Sequence, residues 1–371
     1  MKTLLCVCLF AGFFTATFAQ NLPDDLAINE IQVIASHNSY RTLTHKGVYR
    51  TVKLIRPFLP KKFDPRAWDY SHLPLSTQLD SFGIRGLELD VYYDPQGGKY
   101  YKRRGKILAL QSPKSRVEKL KQPGFKILHI PDLDFNTHYI TFQDALQELK
   151  QWSEAHPDHS PVFVQVEVKN SSPGSYTKFK FLPKIVPFNQ NAADSLDAEV
   201  RTVFGENLAH VMTPDQFRNQ HESLDAAVKA GDIPSLASAR GKIFFILHGC
   251  QDIYMNGHPA LKDRSMFVYS KPHSPECAFI IVDDAINNQD SIKKWVKEGY
   301  MIRTRCDEGT FEARKGDYTR QKAAFESGAQ ILSTDYYRPD PRHKKKPKKW
   351  SSYQTLFPDG SHSRRNVVVK E

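Results

Sequence analysis

The sequence predicts an α/β fold, a closed (β/α)8 barrel built as one domain, on three observations. Eight short β-rich runs recur along the chain. Several are almost continuously apolar, such as Phe244-Phe245-Ile246-Leu247 and Phe279-Ile280-Ile281-Val282, the pattern of strands covered on both faces. Helix-like segments alternate with them, which makes βα units, and eight such units close a barrel. An open doubly wound sheet is the alternative arrangement of the same units.

In order, the runs are 30–36, 84–92, 125–130, 162–168, 242–248, 278–283, 300–306 and 329–334, with helices expected over 142–155, 193–204, 223–230, 286–298 and 319–327. The first run leads into Ser36-His37-Asn38-Ser39. In the second, Glu88 and Asp90 are two apart and leave the same face of a strand. The third ends at His129, the fourth carries Glu167 and Lys169 on one face, and the seventh carries Arg303 and Arg305 on one face. A barrel gathers the C-terminal ends of its strands around one mouth, where active sites of this architecture lie. Each residue alone has a structural explanation: a satisfied histidine, a salt-bridge lysine. Four consecutive strands placing such groups at their ends point to a joint catalytic site.

Composition sets the class. With 40% hydrophobic and 12% aromatic residues, the chain has enough apolar surface for a core, which excludes disorder for its bulk. Residues 1–19 combine Lys2, an apolar stretch and a small residue before Gln20, the pattern of a cleavable secretory signal. No later stretch reaches the about 20 apolar residues of a membrane span. The expected organisation is therefore a signal at 1–19, a barrel over 20–337 and a basic tail over 338–371, the whole secreted or periplasmic. Net charge is +11, but no nucleic-acid reader motif is present, and no obligate protein partner is evident. No Cys-x-x-Cys pair suggests a structural zinc. Of the cysteines beyond the signal, Cys250 follows the fifth run and Cys277 precedes the sixth, so a disulfide between them is expected, leaving Cys306 free.

A buried Glu88–Asp90 pair without a counter-charge is costly. A bound cation relieves it, and oxygen ligands from Asn38, Glu88, Asp90 and Glu167 suit a hard ion, Ca2+ or Mg2+.

His37-Asn38-Ser39, Gly83-Ile84-Arg85-Gly86-Leu87-Glu88-Leu89-Asp90-Val91, Leu128-His129-Ile130-Pro131-Asp132, Glu167-Val168-Lys169, Ile302-Arg303-Thr304-Arg305 and Ser333-Thr334-Asp335-Tyr336 together resemble the secreted bacterial calcium-dependent phosphatidylinositol-specific phospholipases C. The resemblance implies a TIM-barrel phosphodiesterase with one catalytic Ca2+. It implies His37 and His129 as catalytic histidines, with Glu88 or Asp90 as a base. Asn38, Glu88, Asp90 and Glu167 become calcium ligands, and Lys169 with Arg305 contacts to phosphate or inositol oxygens. Arg303 is an equal candidate by strand parity. The implied reaction converts phosphatidylinositol in a phospholipid membrane to diacylglycerol and a cyclic inositol phosphate or inositol phosphate. A glycerophosphodiester phosphodiesterase is the alternative on the same fold, although that family begins His-Arg-Gly where this chain has Asn38 after His37. A non-catalytic lipid- or polyanion-binding barrel is the alternative of another class. Three segments mixing apolar and basic residues, 52–63, 176–188 and 338–350, are expected to form a membrane-docking rim at the barrel mouth.

Overall fold

Strand pairing is what arranges the chain, and it is described here from a computed structural model over residues 22–59, 64–172 and 184–369. The strands are β1 (Ile31–Ser36), β2 (Gly86–Tyr92), β3 (Lys126–Ile127), β4 (Val162–Val168), β5 (Ile243–His248), β6 (Phe267–Val268), β7 (Phe279–Ile281), β8 (Met301–Arg305), β9 (Ile331–Thr334) and β10 (Ser363–Arg365). Eight of them run parallel in the order β6-β5-β4-β2-β1-β9-β8-β7. A single parallel bridge, Tyr269 to Phe279, joins the two ends of that path. The barrel is the expected one, nearly closed.

The eight strands are not quite the eight expected. The 125–130 run contributes only the two-residue β3, which pairs antiparallel to β2 and stands outside the parallel path. Its place in the count is taken by β6, whose two residues are too few to show a period. The helices Phe142–Ala155, Gln190–Phe204, Leu224–Ala230, Gln289–Lys297 and Thr319–Glu326 lie within three residues of their expected bounds. Helices Lys46–Leu54 and Leu75–Phe82 form between the first and second runs, where no helix was expected.

Inside the barrel the side chains form layers, set by strand parity and register. The floor is aromatic: Phe163, Phe244, Phe267 and Phe279 pack with neighbouring ring centroids 5.0–5.8 Å apart. Above it come Glu88 opposite Gln165, and nearest the mouth Asp90, Glu167 and His248 lie side by side. Apolar packing below and polar groups above follow from one alternation. β1 meets β2 only at Ala35 and Gly86, where a β-carbon on Gly86 would fall 2.3 Å from that of Ala35. The first half of β1 pairs instead with antiparallel β10. The chain beyond 337 thus returns to the barrel wall, with Trp350, Tyr353 and Phe357 buried.

The expected disulfide is absent: Cys250, Cys277 and Cys306 are free thiols. Cys250 follows β5 at the mouth and Cys277 precedes β7 at the floor. A strand of six residues such as β5 rises about 20 Å, well beyond disulfide reach. Overlooking β6 is what made the two thiols look adjacent.

Candidate active site

The turn after β1 is built by its own sequence. Ser36 and Ser39 hydroxyls lie 2.6 Å apart, and Ser39 Oγ accepts the Glu88 N–H at 2.7 Å. Asn38 takes the left-handed conformation (φ 49°), which asparagine tolerates better than most residues. The turn projects His37 over the mouth, where its Nδ1 meets Asp335 Oδ1 at 2.7 Å and the Tyr70 hydroxyl at 3.1 Å. Its Nε2 lies 3.6 Å from Glu88 Oε1. Burial, then Arg305 and Arg303, hold the His37 pKa well below its usual value.

His129 sits on a tight turn closed by paired backbone hydrogen bonds between Ile130 and Asp134. That turn sets Asp134 Oδ2 2.8 Å from His129 Nδ1. Arg41 Nη2 lies 2.6 Å from the same Asp134 oxygen, and Thr44 Oγ1 donates to the other at 2.6 Å. Burial alone would raise Asp134, but Arg41, His129 and Thr44 outweigh it and hold its pKa below the usual range. Burial lowers the pKa of His129, against the raising influence of Asp134. Both histidines therefore have Nδ1 engaged by a carboxylate, which fixes the ring and leaves Nε2 for chemistry.

His37, Asn38, His129, Arg305, Trp68 and Tyr70 line one cavity of about 560 Å3, the size of a small-ligand site. Beside it, one oxygen each of Glu88, Asp90 and Glu167 lie within 4.8 Å of one another. Arg303 Nη2 contacts Glu88 Oε2 at 2.8 Å, and Lys169 Nζ contacts Glu167. Burial pushes Glu88 up to about 7 and Asp90 well above its usual value, while Lys169 followed by His248 outweighs burial and lowers Glu167. Lys169 Nζ lies 3.0 Å from Asp90 Oδ2, but it is shared with Glu167, and burial still outweighs it at this fully buried carboxylate. The Tyr40 hydroxyl donates to Asn38 Oδ1 at 3.3 Å and lies beside Asp90, which brings the amide to the carboxylates. Three carboxylates whose oxygens lie within 4.8 Å of one another, with Asp90 still raised despite Lys169, supply clustered hard oxygens that fit a divalent cation such as calcium.

The comparisons with known proteins fall on the same reading. The sequence family described as phosphoinositide phospholipase C, Ca2+-dependent, matches residues 26–367. The chain belongs to that family. Among solved structures, the calcium-dependent phosphoinositol-specific phospholipase C of a Pseudomonas species in complex with myoinositol aligns with TM-score 0.54 at 14% identity, over 92% of this chain and 96% of that one. The Ca2+-dependent phosphatidylinositol-specific phospholipase C of Streptomyces antibioticus aligns with TM-score 0.51 at 18% identity, over 84% and 95%. These show the fold. No curated protein matches the sequence.

Of the sequence-derived site residues of this phospholipase C family member, His37, Asn38 and His129 line the cavity, Asp90, Glu167 and Lys169 stand at the mouth beside it, and Glu88 lies one layer below. Arg305 lines the cavity, whereas Arg303 is buried against Glu88, Asp283 and Ser333 Oγ. Sequence reasoning missed the groups that orient the histidines: Asp335, Asp134, Arg41 and Tyr70. Asp335 stood within a quoted motif, and Asp134 lies only five residues beyond His129, but neither spacing reveals which atom meets which ring. Among the described residues, no helix is long and apolar enough to cross a membrane.

Proposed function

We propose that the protein is a secreted, calcium-dependent phosphodiesterase that cleaves phosphatidylinositol to diacylglycerol and a cyclic inositol phosphate or inositol phosphate. The observation that carries this reading is a pair of histidines, each anchored through Nδ1 by a buried aspartate, on one cavity beside an under-satisfied carboxylate cluster. Asn38, Glu88, Asp90 and Glu167 would hold the calcium. When bound, it would supply positive charge that acidifies the inositol 2-hydroxyl and neutralises the phosphoryl oxygens.

The chain's own groups do the rest. Glu88 or Asp90 takes the proton from the inositol 2-hydroxyl. His129 Nε2 gives a proton to the departing glyceryl oxygen, with Asp134 stabilising the imidazolium meanwhile. His37 hydrogen-bonds a phosphoryl oxygen as charge builds there. Arg305, on the cavity wall, takes the phosphate or inositol oxygens in preference to Arg303, and Lys169 assists beside the carboxylates. Export rests on the signal pattern at 1–19, which lies outside the described residues.

Incubation with phosphatidylinositol and with glycerophosphoinositol, in calcium or in chelator, followed by phosphorus NMR of the products, tests this. A cyclic inositol phosphate or inositol phosphate signal from the lipid, seen only with calcium, is expected. Glycerol phosphate as the sole phosphorus product would instead mark a glycerophosphodiesterase.

A further inference from the structure

The loops leaving β2, β1 and β9, three neighbours in the barrel wall, share an unusual composition. Residues 42–59 hold four Lys or Arg and no acid, residues 101–117 hold six and none, and residues 338–350 hold seven against Asp340 alone. Since the whole chain carries only +11, the remainder is net acidic. All three follow C-terminal strand ends, so the positive charge is concentrated at the active-site mouth.

The same surface exposes large apolar side chains. Leu110 is 98% exposed, Phe58 84%, Leu54 78% and Ile107 56%. Helix Lys46–Leu54 packs on the turn Arg104–Ala109: Ala109 Cβ lies 2.7 Å from where a β-carbon on Gly47 would be, and Thr51 Oγ1 donates to the Leu108 carbonyl at 3.0 Å. The 338–350 segment joins them through Asp69, which receives Arg342 at 2.6 Å and Arg314 at 2.9 Å and neighbours the Tyr49 hydroxyl. Both guanidiniums also lie over the Trp350 ring, 3.9 and 4.1 Å from its centroid. This clamp holds the exposed lysines 344–346, 348 and 349 beside the helix.

We propose that this surface docks the enzyme on an anionic phospholipid bilayer, with Leu54, Phe58, Ile107 and Leu110 entering the acyl boundary and the basic side chains meeting the headgroups. The occupant follows from charge complementarity combined with apolar exposure, because a soluble polyanion would use the lysines but not the leucines. The surface differs from the rim expected from sequence. Val52, Ile185 and Phe188 are buried, Lys61, Lys62, Phe63 and residues 176–182 lie outside the described residues, and the loop after β2 was not foreseen. The proposal rests on the catalytic reading only for its purpose, not for its binding.

Sedimentation with phosphatidylcholine vesicles, with and without one-fifth phosphatidylserine, tests it without using the substrate lipid. Wild type is expected to bind the anionic vesicles. The double variant Phe58→Ser, Leu110→Ser should bind roughly tenfold more weakly. The triple variant Lys345→Glu, Lys346→Glu, Lys348→Glu should lose on the order of a hundredfold. Heat unfolding and turnover of soluble glycerophosphoinositol should match wild type in both. Vesicle binding unchanged in either variant would overturn the bilayer, and a loss confined to the lysine variant would point to a polyanion instead. If wild type turned over no inositol phosphodiester yet bound vesicles with this dependence, the catalytic reading would fail and the docking surface would stand.

Discussion

Asp134 and Asp90 are both fully buried aspartates near the barrel mouth, and they have opposite surroundings. Asp134 is met by Arg41, His129 and Thr44, and its pKa lies below the usual range. Asp90 shares Lys169 with Glu167 and has two carboxylates beside it, and burial keeps its pKa raised. Burial costs the two charges alike; partners outweigh that cost at Asp134, whereas the shared Lys169 does not outweigh it at Asp90. Asp134 belongs to a finished scaffold that holds the ring proposed as the general acid. Asp90 belongs to a carboxylate cluster that could hold a metal ion.

The most damaging way to break the first region is His129→Ala. Turnover of phosphatidylinositol should fall by roughly 10²–10⁴-fold, the range for general acid catalysis, and a substrate with a better leaving group should recover much of the loss. Near-wild-type activity on the natural lipid would remove His129 from the mechanism. Next comes Asp134→Asn, which leaves the Arg41 guanidinium buried opposite a neutral amide. Denaturant unfolding should show a loss of about 3–5 kcal/mol, typical of a broken buried ion pair. Asp90→Asn sharpens the contrast from the other side. Without calcium its stability should stay within about 1 kcal/mol of wild type, because losing the Lys169 contact is offset by relief of repulsion from Glu88 and Glu167, and Lys169 keeps Glu167. If the two aspartate variants unfolded alike, the distinction between scaffold and ligand would collapse.

The comparison also explains what was legible in the sequence. Glu88, Asp90 and Glu167 could be read because a strand's alternation tells which side chains share a face, and parallel register then brings Asp90 level with Glu167. His37 and His129 could be read because they follow apolar runs. Asp134, Asp335, Arg41 and Tyr70 could not, since their contacts depend on turns and on loops from other strands, whose course no period encodes. The same limit shaped the fold. The 125–130 run is apolar enough to pass for a barrel strand but continues past Ile127 as a turn toward His129, and β6 is too short to announce itself. The barrel count of eight survived because one error replaced the other. The basic 344–349 run has no hydrophobic period, and only the Arg314–Trp350–Arg342 stack shows how it is held against the mouth.

The central claim is that the Glu88–Asp90–Glu167 cluster holds the calcium on which the histidines depend. Titration calorimetry of purified wild type and Asp90→Asn with calcium chloride tests it most directly. The account predicts one calcium bound per wild-type chain, and at least about tenfold weaker binding in the variant, the usual cost of losing a group that supports a metal. Equal binding by both proteins, or no binding by wild type, would contradict it.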